Sequence, residues 1–367
     1  MTVRLYGRAQ GNSSHARVTG GFYAALKKAG MLSGFVGLDL AAIGEDVQRE
    51  TDELALRGAV ADHAVFTGAL GRLEQMVQQA SHKRRWVVVA PNSNLIPALL
   101  VRDLQRFATG ILAPSHWAAS VLDNLFQLEM PIVVVPHGVT PVWSAQEIRR
   151  RGELMRQEFE AGKFRVLHFS TSDRERKGTL ELVQAWQRLL KEGVIPESSE
   201  LALVMDYPAR IRLVEKLADA DILMPKGLTC IDRPDLSPRD MATLLMCGHV
   251  VCQPSRGEAF GLVPLEALTV GVPIVATACT GHSEYLNANT DGAVIVDTGE
   301  LAPIDDLEGA AAPALAVEDI VVALRSAYSY WPSLQHAALE HFEALTERWA
   351  WDRQLAPFIT LLKSGVT

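Results

Sequence analysis

The sequence predicts an α/β protein of two parallel-sheet lobes, and three observations predict it. Short β-branched runs alternate with helical stretches long enough to cross back over a sheet, which makes βαβ units. The alternation breaks near Val142, passes through a charged helical segment, and starts afresh at Phe164. The length, 367 residues, exceeds what one ordinary hydrophobic core holds, so two domains are expected.

The first series opens with the strand VRLYG, the loop RAQGNSSHA and a helix through VTGGFYAALKKAG that ends at Gly30. GFVGLDL and HAVFTG read as strands, LGRLEQMVQQA as a helix, and WVVVAP as the next strand. LIPALLVRDLQRF, ATGILAP, SHWAASVLDNLFQ and PIVVVPHG continue the alternation. After the charged helix SAQEIRRRGELMRQEFEAGKF, the second series runs FRVLHFSTS, LELVQAWQRLLKEG, ELALVMDY and PARIRLVEKLADAD, with ILMPKG as the following strand. SPRDMATLLMCG, HVVCQPS, a helix within RGEAFGLVPLEALTVG, PIVATAC and AVIVD complete it. LAPIDDLEGAAAPALA reads as an irregular surface excursion, and the tail from about Ser333 to Lys363 as helix.

Composition narrows the class. A net charge of -8 gives no sign of a nucleic-acid protein. The first 145 residues carry a net +2 and the rest -10, so the first lobe tolerates an anionic partner without demanding one. No apolar run reaches the roughly 18 residues of a membrane helix, and MTVRLYGRAQ lacks a signal-peptide core, so a cytoplasmic location is expected. Cys230, Cys247, Cys252 and Cys279 form no CxxC pair and read as reduced structural thiols; Cys247, His249 and Cys252 fit no common zinc spacing.

The most informative segment is PSRGEAFGLVPLEALTVGVPIVATACTGHSEYL, residues 254–286. Glu258 lies in a glycine-flanked loop directly after a strand, and Glu266, with seven residues between them, lies inside the following helix. Pro264 suits that helix's first turn. The arrangement leaves the N–H groups of Gly261, Leu262 and Val263 at an exposed helix N-terminus, which attracts a diphosphate. A carboxylate one turn in suits two ribose hydroxyls, and one in the preceding loop reaches the sugar.

This segment resembles the signature of the retaining GT-B glycosyltransferases of family GT4, with its two spaced glutamates. VVVPHGV resembles the end of that family's first lobe, RKGTLELVQAW its helix entry near the donor phosphates, and ALTERWAWDRQLAPF its returning helix. The likeness is dense over the second lobe and thin over the first. It implies two Rossmann-like domains facing a central cleft, with an acceptor-side domain at 1–145, a donor domain at 146–340 and a crossing helix at 341–367. It also implies a UDP- or GDP-sugar donor, transfer with retention to an acceptor hydroxyl, and no metal or other cofactor. Epimerase or phosphorylase chemistry on the same fold, or a non-catalytic sugar-nucleotide-binding subunit, are the alternatives. The acceptor, whether small molecule, glycan, lipid-linked sugar or modified nucleic-acid base, stays open.

Carried over residue by residue, the resemblance gives Glu266 to the ribose, Glu258 to the transferred sugar and Lys177 to the diphosphate. The family's usual arginine, five positions before the lysine, is Ser172 here, leaving Arg174 or Arg176 as the second cation. Ser172 itself, Phe260, Gly261, Leu262, Val263, Gly11 and Asn12 complete the expected donor side. Where many relatives have a first-lobe histidine this chain has Asn92, Ser93 and Asn94, so Asn92, His15 and His116 are the acceptor-side candidates. The D-x-D tripeptide Asp219-Ala220-Asp221, and the basic runs HKRR (82–85) and RRR (149–151), read as solvated surface. Because cations rather than a metal neutralise the phosphates in this reading, sugar transfer should survive EDTA. Loss of turnover in EDTA, restored by Mn²⁺, would instead revive Asp219 and Asp221.

Overall fold

The computed structural model describes residues 1–8, 14–37, 61–67, 82–126, 130–170, 175–232, 236–304 and 308–365. The chain divides into two compact units: Met1–Pro91, Leu95–Thr140 and Arg348–Thr367 form the first, and Asn92–Asn94 and Pro141–Glu347 the second. The expected helix LGRLEQMVQQA lies outside the described residues.

In the first unit six parallel strands, β1 (Val3–Gly7), β2 (Leu32–Gly37), β3 (His63–Phe66), β4 (Arg84–Val88), β5 (Gly110–Ala113) and β6 (Ile132–Val134), align in the order β2-β1-β3-β4-β5-β6. Helices α1 (Ser14–Lys28), α2 (Ala98–Phe107) and α3 (His116–Phe126) belong to the same unit. The run HKRR is part of this fold rather than solvated surface. His82 is buried between Tyr6 Oη and Ala61 O, 3.0 Å from each, and Arg85 Nε donates to Phe107 O at 2.6 Å.

The second unit begins with α4 (Ala145–Glu160), whose Ser144 and Glu147 form a reciprocal capping box. Its six parallel strands are β7 (Arg165–Phe169), β8 (Glu200–Val204), β9 (Leu228–Ile231), β10 (Val250–Gln253), β11 (Ile274–Thr277) and β12 (Ala293–Val296), ordered β12-β11-β10-β7-β8-β9. Side chains alternate between two buried clusters. Val166, Leu201, Leu203, Val250, Cys252 and Val275 enter one, and Leu167, Ala202, Val204, Val251, Ile274 and Ala276 the other. A sheet covered on both faces accounts for the nearly continuous apolar strands. The covering helices are α5 (Thr179–Lys191), α6 (Tyr207–Asp219), α7 (Pro238–Leu245), α8 (Leu262–Thr269), α9 (Val317–Ser329) and α10 (Trp331–Arg348). Trp331 stacks on Phe159 at 4.5 Å and donates from Nε1 to His249 O at 2.7 Å. His249 also accepts from Arg165 N at 2.9 Å, a packing role with no metal cluster among the described residues.

Four readings need correction. ILMPKG is not a strand: Asp221 has φ +54° and Gly227 φ +74°, which turn the chain, and pairing with β8 starts only at Leu228. LAPIDDLEGAAAPALA is not irregular throughout, because β13 (Leu301–Pro303) and β14 (Ala311–Pro313) pair antiparallel within it. The tail is two helices. Ala350 leaves the helical path to bridge Val139, and α11 (Trp351–Ser364) follows within the first unit. There it packs on α1, where a Cβ at Gly21 would lie 2.0 Å from the Trp351 ring. In the RRR run, Arg149 and Arg150 are exposed as expected, Arg149 in a surface pair with Glu343 at 2.6 Å, but Arg151 is half-buried and its Nε donates to Met246 O at 2.9 Å. Asp219 and Asp221 are exposed at the end of α6, as expected of a turn.

Trp186, on the buried face of α5, is fully buried and among the largest side chains of the second core. Trp186→Ala should cost about 3–5 kcal/mol, the usual loss for a buried aromatic, read as a lower urea midpoint. An unchanged midpoint would mean that this core does not hold the unit together.

Candidate active site

In a doubly wound sheet, ligands bind beyond the carboxyl ends of the strands where the order reverses. In the second unit that point lies between β7 and β10, and the strands separate there. Main-chain pairing is confined to Val250 with Val166 and Val251 with Leu167. Beyond it the buried side chain of Gln253 accepts from Phe169 N at 2.8 Å and donates back to Phe169 O at 3.1 Å. His168 reaches across from Nδ1 to Cys252 O at 2.8 Å, and its Nε2 meets the Thr179 hydroxyl at 3.0 Å. Burial pushes His168 down to about 4, so it holds this geometry as a neutral ring.

Both loops leaving these strands carry charge. After β7 the chain makes a short 3-10 turn, Glu175–Lys177, and enters α5 through Gly178. Gly178 has φ +67°, and a Cβ there would sit 2.5 Å from Pro254 O, so this turn lies directly on the loop after β10. Arg256 N donates to Arg176 O at 2.6 Å. The contact brings three side chains together. Glu258 Oε1 accepts from Lys177 Nζ at 2.5 Å and from Arg176 Nη1 at 3.1 Å, and Arg176 Nη1 also donates to Gly257 O at 2.6 Å. Glu258 and Arg176 are both buried. Burial alone would raise the Glu258 carboxyl, but Lys177 and Arg176, then His282, outweigh it and hold it well below the ordinary carboxylate range.

α8 starts beside this cluster. Its N-cap Gly261 has φ +80°, and a Cβ would meet the His282 ring at 2.1 Å. His282 is buried, donates from Nδ1 to Thr277 O at 2.9 Å, and burial lowers its pKa. Glu266 is half-buried one turn into the helix. Tyr285 donates to Gly261 O, and its phenol is raised by burial and then by the charges of the Glu258 and Glu266 carboxylates. Phe260 is buried against Tyr285 with ring centroids 5.3 Å apart. Leu262 is buried and Val263 half-buried at the start of α8.

The remaining candidates fall elsewhere. Ser172, Arg174, Gly11 and Asn12 lie outside the described residues. Asn92 belongs to the second unit, where its carbonyl would lie 2.1 Å from a Cβ on Gly257. His15 and His116 are exposed, at the first turns of α1 and α3 in the first unit. Sequence reasoning missed Arg256, which is buried and donates from Nε to Pro313 O at 2.8 Å, fastening the β13–β14 hairpin beside the loop. It also missed His282 and Tyr285, whose signal was the GHSEY run after β11.

Two doubly wound units of this kind make the protein a GT-B fold. Sucrose-phosphate synthase from Thermosynechococcus elongatus has the same fold at a TM-score of 0.66 and 15% identity, covering 100% of both chains. So has Anabaena HepE, solved in complex with UDP and glucose, at 0.63 and 14%, covering 99% of this chain and 100% of that one. Residues 163–312 match the profile of the family described as Glycosyl transferases group 1. The MMP alpha-(1->4)-mannosyltransferase of Mycolicibacterium hassiacum is 27% identical over 191 residues, which span 52% of this chain and 41% of that relative. No helix among the described residues is long and apolar enough to cross a membrane.

The low carboxyl pKa of Glu258 makes a signed prediction. A group depressed in the folded state contributes fully above its unfolded value, about 4.3 for Glu, and loses that contribution as pH falls. Glu258→Gln, which strands two cations, should cost about 3–5 kcal/mol near neutral pH. Urea unfolding at several pH values should show the gap from wild type closing below about pH 4. A gap independent of pH would mean that Glu258 is not held as a carboxylate.

Proposed function

We propose that this chain is a retaining glycosyltransferase, taking a sugar from a UDP- or GDP-linked donor to an acceptor hydroxyl without a metal. The observation that carries the reading is the meeting of Lys177 and Arg176 on Glu258, at the switch point of the second sheet and beside the N-terminus of α8. Two cations facing one carboxylate leave an excess of positive charge, which suits a diphosphate. Lys177 holds the diphosphate, Glu258 accepts the sugar's hydroxyls, and Glu266 takes the ribose. The UDP and glucose bound to HepE support a uridine donor.

In the reaction the bond from the anomeric carbon to the diphosphate oxygen breaks while the acceptor oxygen bonds to the same face. The acceptor's proton passes to the departing phosphate oxygen. Charge on the leaving group grows as its bond breaks, so a fixed ammonium lowers the barrier more than it tightens binding.

Incubation with UDP-glucose and GDP-mannose, followed by an acceptor screen, should release nucleoside diphosphate and give a product of unchanged anomeric configuration. Inversion at that centre would overturn the retaining mechanism. Donor interconversion without release would mark an epimerase, and nucleotide binding without turnover a binding subunit. Lys177→Ala should lower kcat by about 10²-fold with a much smaller change in donor KM. A rise in KM at constant kcat would make Lys177 a binding residue only.

A further inference from the structure

Thr280 has a left-handed backbone, with φ +51°. A β-branched residue rarely adopts it, because its Cβ crowds the neighbouring carbonyl. Among the described residues only Asp221 also combines a side chain with positive φ, and Asp221 sits in an exposed turn. Thr280 instead sits against the candidate active site. Its Oγ1 accepts from Glu258 N at 3.1 Å, while Gly281 N donates to Glu258 O at 2.8 Å. Ser283 Oγ closes the turn onto Thr280 O at 2.6 Å. Gly281 packs so tightly that a Cβ would lie 2.3 Å from the Ala259 carbonyl. The Glu258 main chain is therefore gripped at both its N–H and its C=O by one short turn.

We infer that Thr280 is a positioning residue: its hydroxyl, presented by a strained backbone, fixes the Glu258 main chain so that the carboxylate meets Lys177 and Arg176. This rests on the function proposed above, because the loss it predicts is read in sugar transfer. Glycine would relax the backbone at this φ but has no hydroxyl to accept the Glu258 N–H. Strain held at such a point persists only where its surroundings enforce it.

The test compares the whole chain as wild type, Thr280→Gly and Thr280→Ser, by circular dichroism, donor kinetics and amide hydrogen exchange at Glu258. Thr280→Gly should stay folded, lose about tenfold in kcat/KM, and exchange the Glu258 amide about tenfold faster, the scale of one hydrogen bond. Thr280→Ser should restore both readouts. Wild-type kcat/KM in folded Thr280→Gly would overturn the inference, even if exchange quickens. Unchanged exchange would overturn it whatever the rate. Should wild type transfer no sugar from any donor, the functional reading fails by itself. Amide exchange still decides whether Thr280 holds Glu258.

Discussion

A buried carboxylate shared by two cations is the interaction on which the rest of the second unit depends. Removing charge from water costs several kcal/mol per ion, and the cost is met only when partners and hydrogen bonds are in place. Glu258 has Lys177 and Arg176 on one oxygen, and Thr280 and Gly281 on its main chain. Three segments distant in sequence must therefore converge: the turn after β7, the loop after β10 and the turn after β11. The βαβ topology brings them to one end of the sheet, and side chains then finish the job.

Much of that finishing is done by groups that take no charge from a ligand in the proposed reaction. Gln253 and His168 bridge β7 and β10 beyond the reach of their main-chain pairing and so fix the spacing of the two strand ends. Arg256 anchors the β13–β14 hairpin through Pro313 O and reaches Glu175 at 3.6 Å, joining the loop, the hairpin and the 3-10 turn. Tyr285 closes onto Gly261 O and packs its ring against Phe260 and His282. These contacts make the position of Lys177 a property of the whole loop cluster. A lysine on a solvated surface loop would pay rotamer entropy on every binding event.

The sequence by itself determined the two parallel sheets, since β-branched runs spaced by helices of crossover length have few other solutions. It also singled out Glu258, Glu266 and the helix start at Gly261 as candidates from their strand, glycine and proline context, and the family resemblance added Lys177. It did not choose between Arg174 and Arg176, and the structure turns Arg176 onto Glu258. Tertiary structure also decided Arg256, Thr280, His282, the hairpin in the Pro/Ala-rich stretch and the break at Ala350 in the tail. Each depends on a partner far away in the chain: Pro313, Glu258, Gly261, the opposite hairpin strand and Val139. Local periodicity and propensity report only on near neighbours. A long-range contact that overrides them leaves no mark in either segment alone.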